Sequence, residues 1–591
     1  MTSDPGTILK TVFGFDSFRG VQERVVDRVM AGRHTLAVMP TGAGKSLCYQ
    51  LPALAREGTA LVISPLIALM HDQIRSADAA GIRAAALTSA DSDRERTIER
   101  LRAGELDLLY AAPERATTGS FQRLLGDVPL SLIAIDEAHC VSEWGHDFRP
   151  DYRLLRPLLD TFGGVPRLAL TATADERTRS DILAQLGIPD DGLVIAGFDR
   201  PNIRYHVLPR DGLPGQLKTL LASHGGSGIV YAPSRDKAER IAETIAAGGR
   251  KAAPYHAGLE PQVRSRNQSA FVASEDMVIA ATVAFGMGID KPDVRFVAHA
   301  AIPKSIEAYY QETGRAGRDG EPAEAWLFWA AEDFARARRR IETEVEPDRR
   351  QGERERLNAL AAMVESASCR RAILLRHFGE APAQNCGNCD NCLNPPATID
   401  ATEVARKLLS AAFRTEMRFG VAHLADVLGG NDSEKVRSFG HDRLSVFGIA
   451  DADELALLKP VSRALIARDA LRADAYGGLS FGPGARPILK GDERLVIAVP
   501  PPRKRGSRRR SSDGPADPLF EALREARRSL ASAAGVPPYV VFHDSTLRGI
   551  AERRPGTLRE LAEVQGVGEA KLERYGEAML ASVRAFEEES A

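Results

Sequence analysis

Apolar and polar positions alternate along the first half of the chain with a regular rhythm. Short apolar runs, Thr35-Leu-Ala-Val-Met39, Ala60-Leu-Val-Ile63, Leu106-Asp-Leu-Leu-Tyr110, Ser131-Leu-Ile-Ala-Ile135 and Leu168-Ala-Leu-Thr-Ala-Thr173, are separated by longer mixed stretches. Runs that do not alternate residue by residue belong to strands covered on both faces, so the pattern predicts parallel strands alternating with helices. Ser64-Pro65 and Ala112-Pro113 mark turns at two strand ends. From about Ile203 the rhythm restarts, with strands at Gly228-Ile-Val-Tyr231, before Tyr255-His256-Ala257-Gly258, and at Val278-Ile-Ala-Ala-Thr282. The expectation is α/β architecture: two parallel-sheet lobes, 1–202 and 203–341. The period then changes. Leu357, Leu360, Met363 and Val364 form one helical stripe in a segment expected over 342–397. Asn394-Pro-Pro-Ala397 closes it. Helical stripes with a late strand pair, Leu471–Ala473 and Gly478–Phe481, fill 398–499, and 518–591 reads as all-helical. Between them, 500–517 is rich in Pro, Gly, Ser, Lys and Arg and cannot build a core.

Composition adds limits. A length of 591 residues fits about four domains. Hydrophobic residues make up 44% and charged residues 27%, as in folded domains with full cores. With 78 Lys+Arg against 80 Asp+Glu, any nucleic-acid surface must be local. No apolar run approaches the length of a membrane span, and Met1 to Lys10 has no signal-type apolar core, so a cytoplasmic protein with no membrane partner is expected.

The stretch after the first strand carries the clearest chemistry. Thr41-Gly-Ala-Gly-Lys-Ser46 lies between a strand and a helix start at Leu47. That geometry turns backbone N–H groups towards a phosphate chain. Thr41, Gly42 and Gly44 shape the loop, Lys45 reaches the β- and γ-phosphates, and Ser46 holds Mg²⁺. The longer G-x-x-x-x-G-K-S pattern is not met, because its first glycine falls on Met39. Upstream, Phe15 and Arg19 could sandwich an adenine ring and Gln22 could pair with its edge. Without the loop downstream, Phe15 and Phe18 would read as core.

Asp136-Glu-Ala-His139 ends a predicted strand, where ligands bind in open α/β sheets. Asp136 is placed to hold Mg²⁺, and Glu137 to orient and deprotonate water. Directly after it, Trp144, His146, Phe148 and Arg149 crowd one polar loop, a composition suited to base stacking and, next to the acid pair, to a coupling element; core packing of Trp144 is the alternative. The second lobe has no phosphate loop of its own but contains Gln311-Glu-Thr-Gly-Arg-Ala-Gly-Arg318. Arg315 and Arg318, one helical turn apart, could share a face and stabilise a transferring γ-phosphoryl group, with Gln311 beside them. A solvated basic helix is the alternative.

Four of the six cysteines, Cys369, Cys386, Cys389 and Cys392, cluster with Cys-x2-Cys-x2-Cys spacing. This fits a closed tetrahedral Zn²⁺ site in a reducing compartment, with an iron–sulfur cluster as the alternative. Cys48 and Cys140 read as small core residues.

Together, FGFDSFRGVQ, TGAGKS, DEAH, SEWGHDFRP, AFGMGIDKP and QETGRAGR resemble a superfamily 2 helicase, and more closely the RecQ family of DNA helicases. The resemblance covers nearly the whole chain. It implies two RecA-like lobes, a zinc module, a winged helix over 398–499 and an HRDC-like domain over 518–591. It also implies ATP, Mg²⁺ and Zn²⁺ as cofactors, single-stranded and duplex DNA as partners, 3′-to-5′ movement and a monomer acting in recombination and repair. It favours zinc over iron–sulfur. Pro537-Pro-Tyr-Val-Val-Phe542 and Gly566-Val-Gly568 carry the HRDC match, with Tyr539 and Lys571 as candidate DNA contacts and a core position as the alternative for Tyr539. Departures are Gly20-Val21, where the family usually has Pro-Gly, and Phe15, where Tyr is frequent. A nucleic-acid-binding scaffold with a decayed ATPase is the alternative from another class, and an RNA helicase is the second.

Overall fold

The computed structural model describes residues 4–88, 93–143, 145, 148–285, 291–382, 385–473, 478–499 and 517–590. Trp144, His146, most of the AFGMGIDKP stretch and nearly all of the basic linker lie outside the described residues.

The first lobe is a seven-stranded sheet in the order β3-β4-β2-β5-β6-β1-β7, all pairs parallel. Its strands are β1 (Thr35–Val38), β2 (Thr59–Ile63), β3 (Ala84–Leu87), β4 (Leu108–Ala111), β5 (Leu130–Ile135), β6 (Arg167–Thr171) and β7 (Leu193–Ile195). Every residue of β1, β2, β4 and β6 is buried, which is why these strands read as unbroken apolar runs. Helices cover both faces, so two separate cores form, one around Leu36, Leu61 and Ile133 and the other around Ala37, Val62 and Leu132.

The second lobe repeats the plan with six parallel strands in the order β10-β11-β9-β12-β13-β8. They are β8 (Ile203–Pro209), β9 (Ser227–Tyr231), β10 (Ala252–Tyr255), β11 (Val278–Ala281), β12 (Val294–His299) and β13 (Ala323–Trp329). One continuous core then joins Tyr205, Tyr309 and Trp329 to Leu357 and Leu374 of the cysteine-bearing segment and to Leu408, Leu424 and Leu465 of the next. In that next segment β14 (Ala397–Asp400) pairs antiparallel with β17 (Val496–Val499), and β15 (Leu471–Ala473) with β16 (Leu479–Phe481). The last segment packs its helices around Leu523, Phe542, Ile550 and Met579. Among the described residues no helix is long and apolar enough to cross a membrane.

Candidate active site

A cavity of about 360 Å³ opens between the two lobes. The first lobe lines it with Phe15, Thr41, Gly42, Gly44, Lys45, Ser46, Asp136 and Glu137, and the second with Gln311, Arg315 and Arg318. The phosphate loop follows β1, and Gly42 and Gly44 hold φ of 85° and 74°, a left-handed backbone that side-chain-bearing residues resist. The helix Leu47–Ala55 follows directly. Lys45 Nζ lies 3.3 Å from the Met39 carbonyl oxygen, which keeps the ammonium at the mouth of the loop.

The acid pair ends β5. Asp136 Oδ1 accepts the Glu137 N–H at 2.9 Å, and the Tyr152 hydroxyl donates to the Asp136 carbonyl oxygen at 2.9 Å. Glu137 itself adopts φ 50° and ψ 45°, a costly backbone for a residue with a Cβ. Glu137 lines the cavity, and its Oε2 is buried on the side of His139. His139, fully buried, places Nδ1 3.0 Å from Thr171 Oγ1 and 3.3 Å from Glu137 Oε2. The acid pair and the hydroxyl turn after β6 are therefore one connected unit.

Several expectations change in detail. The helix Ile306–Thr313 ends before Arg315, so Arg315 and Arg318 sit on the irregular turn after it and share no helix face. Both still line the cavity; after them the chain turns at Gly317, whose φ is 57° and whose N–H donates to the Val294 carbonyl at 2.8 Å. Arg19 lies over the Phe15 ring at 5.4 Å, closer than the roughly 7 Å needed to hold a ring between them. Phe15 lines the cavity; Arg19 and Gln22 do not. Gln22 is 4% exposed, and its amide accepts from Arg19 N–H at 2.8 Å and donates to the Ala43 carbonyl at 2.9 Å. It ties the upstream stretch to the phosphate loop.

Arg200 is a site residue that sequence reading missed. Standing between the lobes, its guanidinium donates to the Thr41 carbonyl at 2.5 Å, to Gly314 at 3.1 Å, to Ala316 at 3.0 Å and to Gly317 at 2.8 Å. Burial pulls its pKa below the usual arginine value. A lone Arg after Asp199 carries no motif, so its spacing gave no signal.

Of the aromatic loop, Phe148 and Arg149 are described. Phe148 lies under the guanidinium groups of Arg153 and Arg349, at 5.3 and 5.8 Å. Arg149 N–H bonds to the Cys140 carbonyl at 2.9 Å, and its Nη1 donates to the Pro65 carbonyl at 3.1 Å, the turn after β2.

Cys369, Cys386, Cys389 and Cys392 gather with all four sulfurs within 4.8 Å of one another. The Cys386–Cys392 and Cys369–Cys389 sulfurs are each 3.9 Å apart. A tetrahedral zinc with thiolate bonds near 2.3 Å sets sulfurs about 3.8 Å apart, so the four thiols fit zinc. Cys48 and Cys140 are buried core residues.

Comparison with known proteins identifies five consecutive matches: DEAD/DEAH box helicase over 19–182, helicase conserved C-terminal domain over 213–320, RecQ zinc-binding over 331–393, RQC domain over 395–505 and HRDC domain over 516–583. The protein named ATP-dependent DNA helicase RecQ of Haemophilus influenzae is 42% identical over 98% of this chain and 95% of its own length. The chain belongs to the RecQ helicase family. The namesake from Bacillus subtilis is 38% identical over 98% of both chains, and that from Pasteurella multocida 42% over 96% of this chain and 92% of its own. The matches bear out the resemblance in the motor lobes and in the zinc, RQC and HRDC segments alike.

The HRDC segment reaches the cavity between the lobes. Tyr539 and Lys571, read above as DNA contacts, line the same cavity as Lys45 and Glu137, together with Val540, His543 and Gly566. In the RQC segment, His441 is buried and its Nδ1 stands 2.8 Å from His423 Nε2, which gives it a structural setting.

Proposed function

We propose that this chain is an ATP-dependent DNA helicase that moves 3′-to-5′ on single-stranded DNA and unwinds duplexes in recombination and repair. One observation carries the reading: a single cavity collects the phosphate loop and acid pair of one lobe and the arginine turn of the other. In the proposed roles, Lys45 neutralises β- and γ-phosphate charge, Ser46 and Asp136 hold Mg²⁺, and Glu137 orients the attacking water. Arg315 and Arg318, with Gln311 beside them, meet charge that develops on the γ-phosphoryl group. Because those groups come from both lobes, hydrolysis would relax the closure, and the motion would advance the strand.

The test compares ATP hydrolysis with single-stranded DNA, with RNA and with neither, then unwinding of duplexes carrying a 3′ or a 5′ tail. Stimulation by DNA above RNA and unwinding of the 3′-tailed substrate are expected. Equal stimulation by RNA, or preference for the 5′ tail, would overturn the substrate or the polarity.

A further inference from the structure

The chain leaves the second sheet through the helix Ala331–Glu344, and the start of that helix is fixed to the lobe. Arg210 donates to both carboxylate oxygens of Asp333, at 3.0 and 2.9 Å, and to the Ala300 carbonyl just after β12 at 2.8 Å. Asp333 in turn accepts the Ala330 N–H at 3.0 Å. The same helix carries Arg338, which is buried and turns its fork towards the RQC segment. Its Nη1 donates to the Ile466 carbonyl at 2.5 Å and its Nη2 to the Ala467 carbonyl at 2.8 Å. Both carbonyls belong to the last turn of the helix Ala452–Ala467, where helix geometry leaves carbonyls without partners and favours a cation. Arg338 Nε also pairs with Asp469 at 3.1 Å, and Nη2 donates to the Asn358 amide oxygen at 3.1 Å. Burial lowers the Arg338 pKa, and the Asp469 carboxylate works against that loss.

Asp469 is the root of the hairpin β15–β16. It holds φ 56°, a left-handed turn that aspartate and asparagine tolerate better than most residues. Its carboxylate also takes Arg472 of β15, at 2.9 and 3.0 Å. Its carbonyl accepts the Gly484 N–H at 3.1 Å, just past β16, and a Cβ at Gly482 would come 2.0 Å from the same oxygen. Both strands of the hairpin therefore close on one residue, and Arg338 ties that residue to the helix leaving the second lobe. Leu471 and Leu479 sit in the core shared with that lobe, but apolar contact is non-directional; the planar fork of Arg338 is what sets an angle. A two-stranded ribbon of this kind fits the major groove of DNA.

We propose that Arg338 is a positioning residue for unwinding: paired with Asp469, it makes the hairpin β15–β16 a rigid extension of the second lobe, so that movement of that lobe during nucleotide turnover is delivered to duplex DNA. The inference rests on the chain being a helicase. Arg338 does not line the nucleotide cavity, so its loss separates ATP hydrolysis from unwinding.

The test uses the full-length protein and measures base pairs opened per ATP hydrolysed on a 3′-tailed duplex, ATP hydrolysis stimulated by single-stranded DNA, and the melting temperature. In Arg338→Ala the base pairs opened per ATP should fall about tenfold, the scale of one lost hydrogen bond to a charged group, while stimulated hydrolysis keeps its rate. Asp469→Asn keeps the size of the side chain and tolerates the left-handed turn, so it should melt like the unmodified protein and lower the same ratio. In the double variant the losses do not multiply, because both act on one joint. A purely structural arginine predicts another pattern: hydrolysis and unwinding fall together with the melting temperature, and their ratio stays constant. A constant ratio, or losses that multiply, would overturn the proposal; should Arg338→Ala fail to fold, Asp469→Asn decides alone. An unmodified protein that hydrolyses ATP but opens no duplex would instead sink the helicase reading.

Discussion

Arg200 and Thr41 belong to different parts of the chain, yet the Arg200 guanidinium donates to the Thr41 carbonyl at 2.5 Å. The same guanidinium holds the carbonyls of Gly314, Ala316 and Gly317. One planar fork therefore sets the distance between the phosphate loop and the turn that carries Arg315 and Arg318. Around it the packing is close: a Cβ at Gly42 would come 3.4 Å from Arg318 Cα.

Arg200→Ala should therefore lower kcat for DNA-stimulated ATP hydrolysis about tenfold or more, while ADP affinity changes little, because Arg200 does not line the cavity. Arg200→Lys should not restore the rate, since an ammonium cannot reproduce a forked set of donors. Steady-state kinetics with an ADP titration measures both. A loss confined to KM would contradict a positioning role.

Removing charge compensation or water orientation should abolish turnover and leave DNA binding intact. Lys45→Ala and Glu137→Gln are each expected to lower kcat by about 10²–10³-fold, the scale of losing one preorganised electrostatic contact. Glu137 holds a left-handed backbone, φ 50°, and Gln, equal in size and shape, should fill the same space. ATPase rates beside fluorescence-anisotropy binding to single-stranded DNA separate catalysis from binding.

Zinc removal should be felt in the motor. Asp390, beside Cys389, accepts the Val207 N–H at 2.9 Å and pairs with Arg370 at 3.2 Å, while Asn388 Nδ2 donates to the Pro201 carbonyl at 3.1 Å, next to Arg200. Cys389→Ser or chelation should lower the melting temperature and the stimulated ATPase rate together, because a closed metal site contributes folding energy. Elemental analysis should find about one zinc per chain. Iron, or a normally stable metal-free protein, would contradict the site.

A pH-dependent joint links the helix bearing Gln311 to the zinc-binding segment. Glu307 Oε1 lies 2.6 Å from His377 Nε2. Burial disfavours both charges, but their mutual bond outweighs it, so Glu307 falls to about 2 and His377 rises above 6.5. The depressed carboxyl stabilises the fold above pH 4.5 and loses that contribution as pH falls towards 2; the raised imidazolium stabilises below 6.5 and loses it as pH climbs through its folded value. The stability difference between the unmodified protein and His377→Gln should thus be largest between those limits and shrink on both sides. A difference flat with pH, read from denaturant melts, would contradict the ion pair.

Local spacing made the nucleotide half of the site legible. TGAGKS lies between strand and helix, DEAH ends β5, and the cysteines sit close in sequence, so each carries its chemistry within a short window. Features that depend on distant segments were not legible. Arg200 acts through carbonyls, and any residue has a carbonyl, so no pattern marks its partners. Lys571 lines the cavity beside a contact in which Gly14 and Gly568 let two backbones touch. Helical spacing misled at Arg315 and Arg318, where Gly314 stops the helix. Gln22 was assigned to adenine by type, and its hydrogen bonds to Arg19 and Ala43, which tie the upstream stretch to the phosphate loop, carried no sequence signal.

The loop after the acid pair is proposed to report DNA to the nucleotide site, and Arg149 is the described residue that would carry the signal. Arg149 connects the turn at Pro65 to the Cys140 carbonyl, one residue after His139, and His139 in turn touches both Thr171 and Glu137. A strand that moved Arg149 would therefore move the group next to the Glu137 carboxylate. Trp144 is expected to offer the stacking face, a contact contributing roughly 1–3 kcal/mol per base. Trp144→Ala and Arg149→Ala should spare basal ATP hydrolysis, lower its stimulation by single-stranded DNA, and reduce unwinding more than DNA affinity. A purely structural role predicts a different pattern: equal loss of basal and stimulated rates with a lower melting temperature, since Arg149 also pins the Pro65 turn. Both rates and a melting curve on one preparation distinguish them, and an unchanged ratio of stimulated to basal rate would sink the coupling.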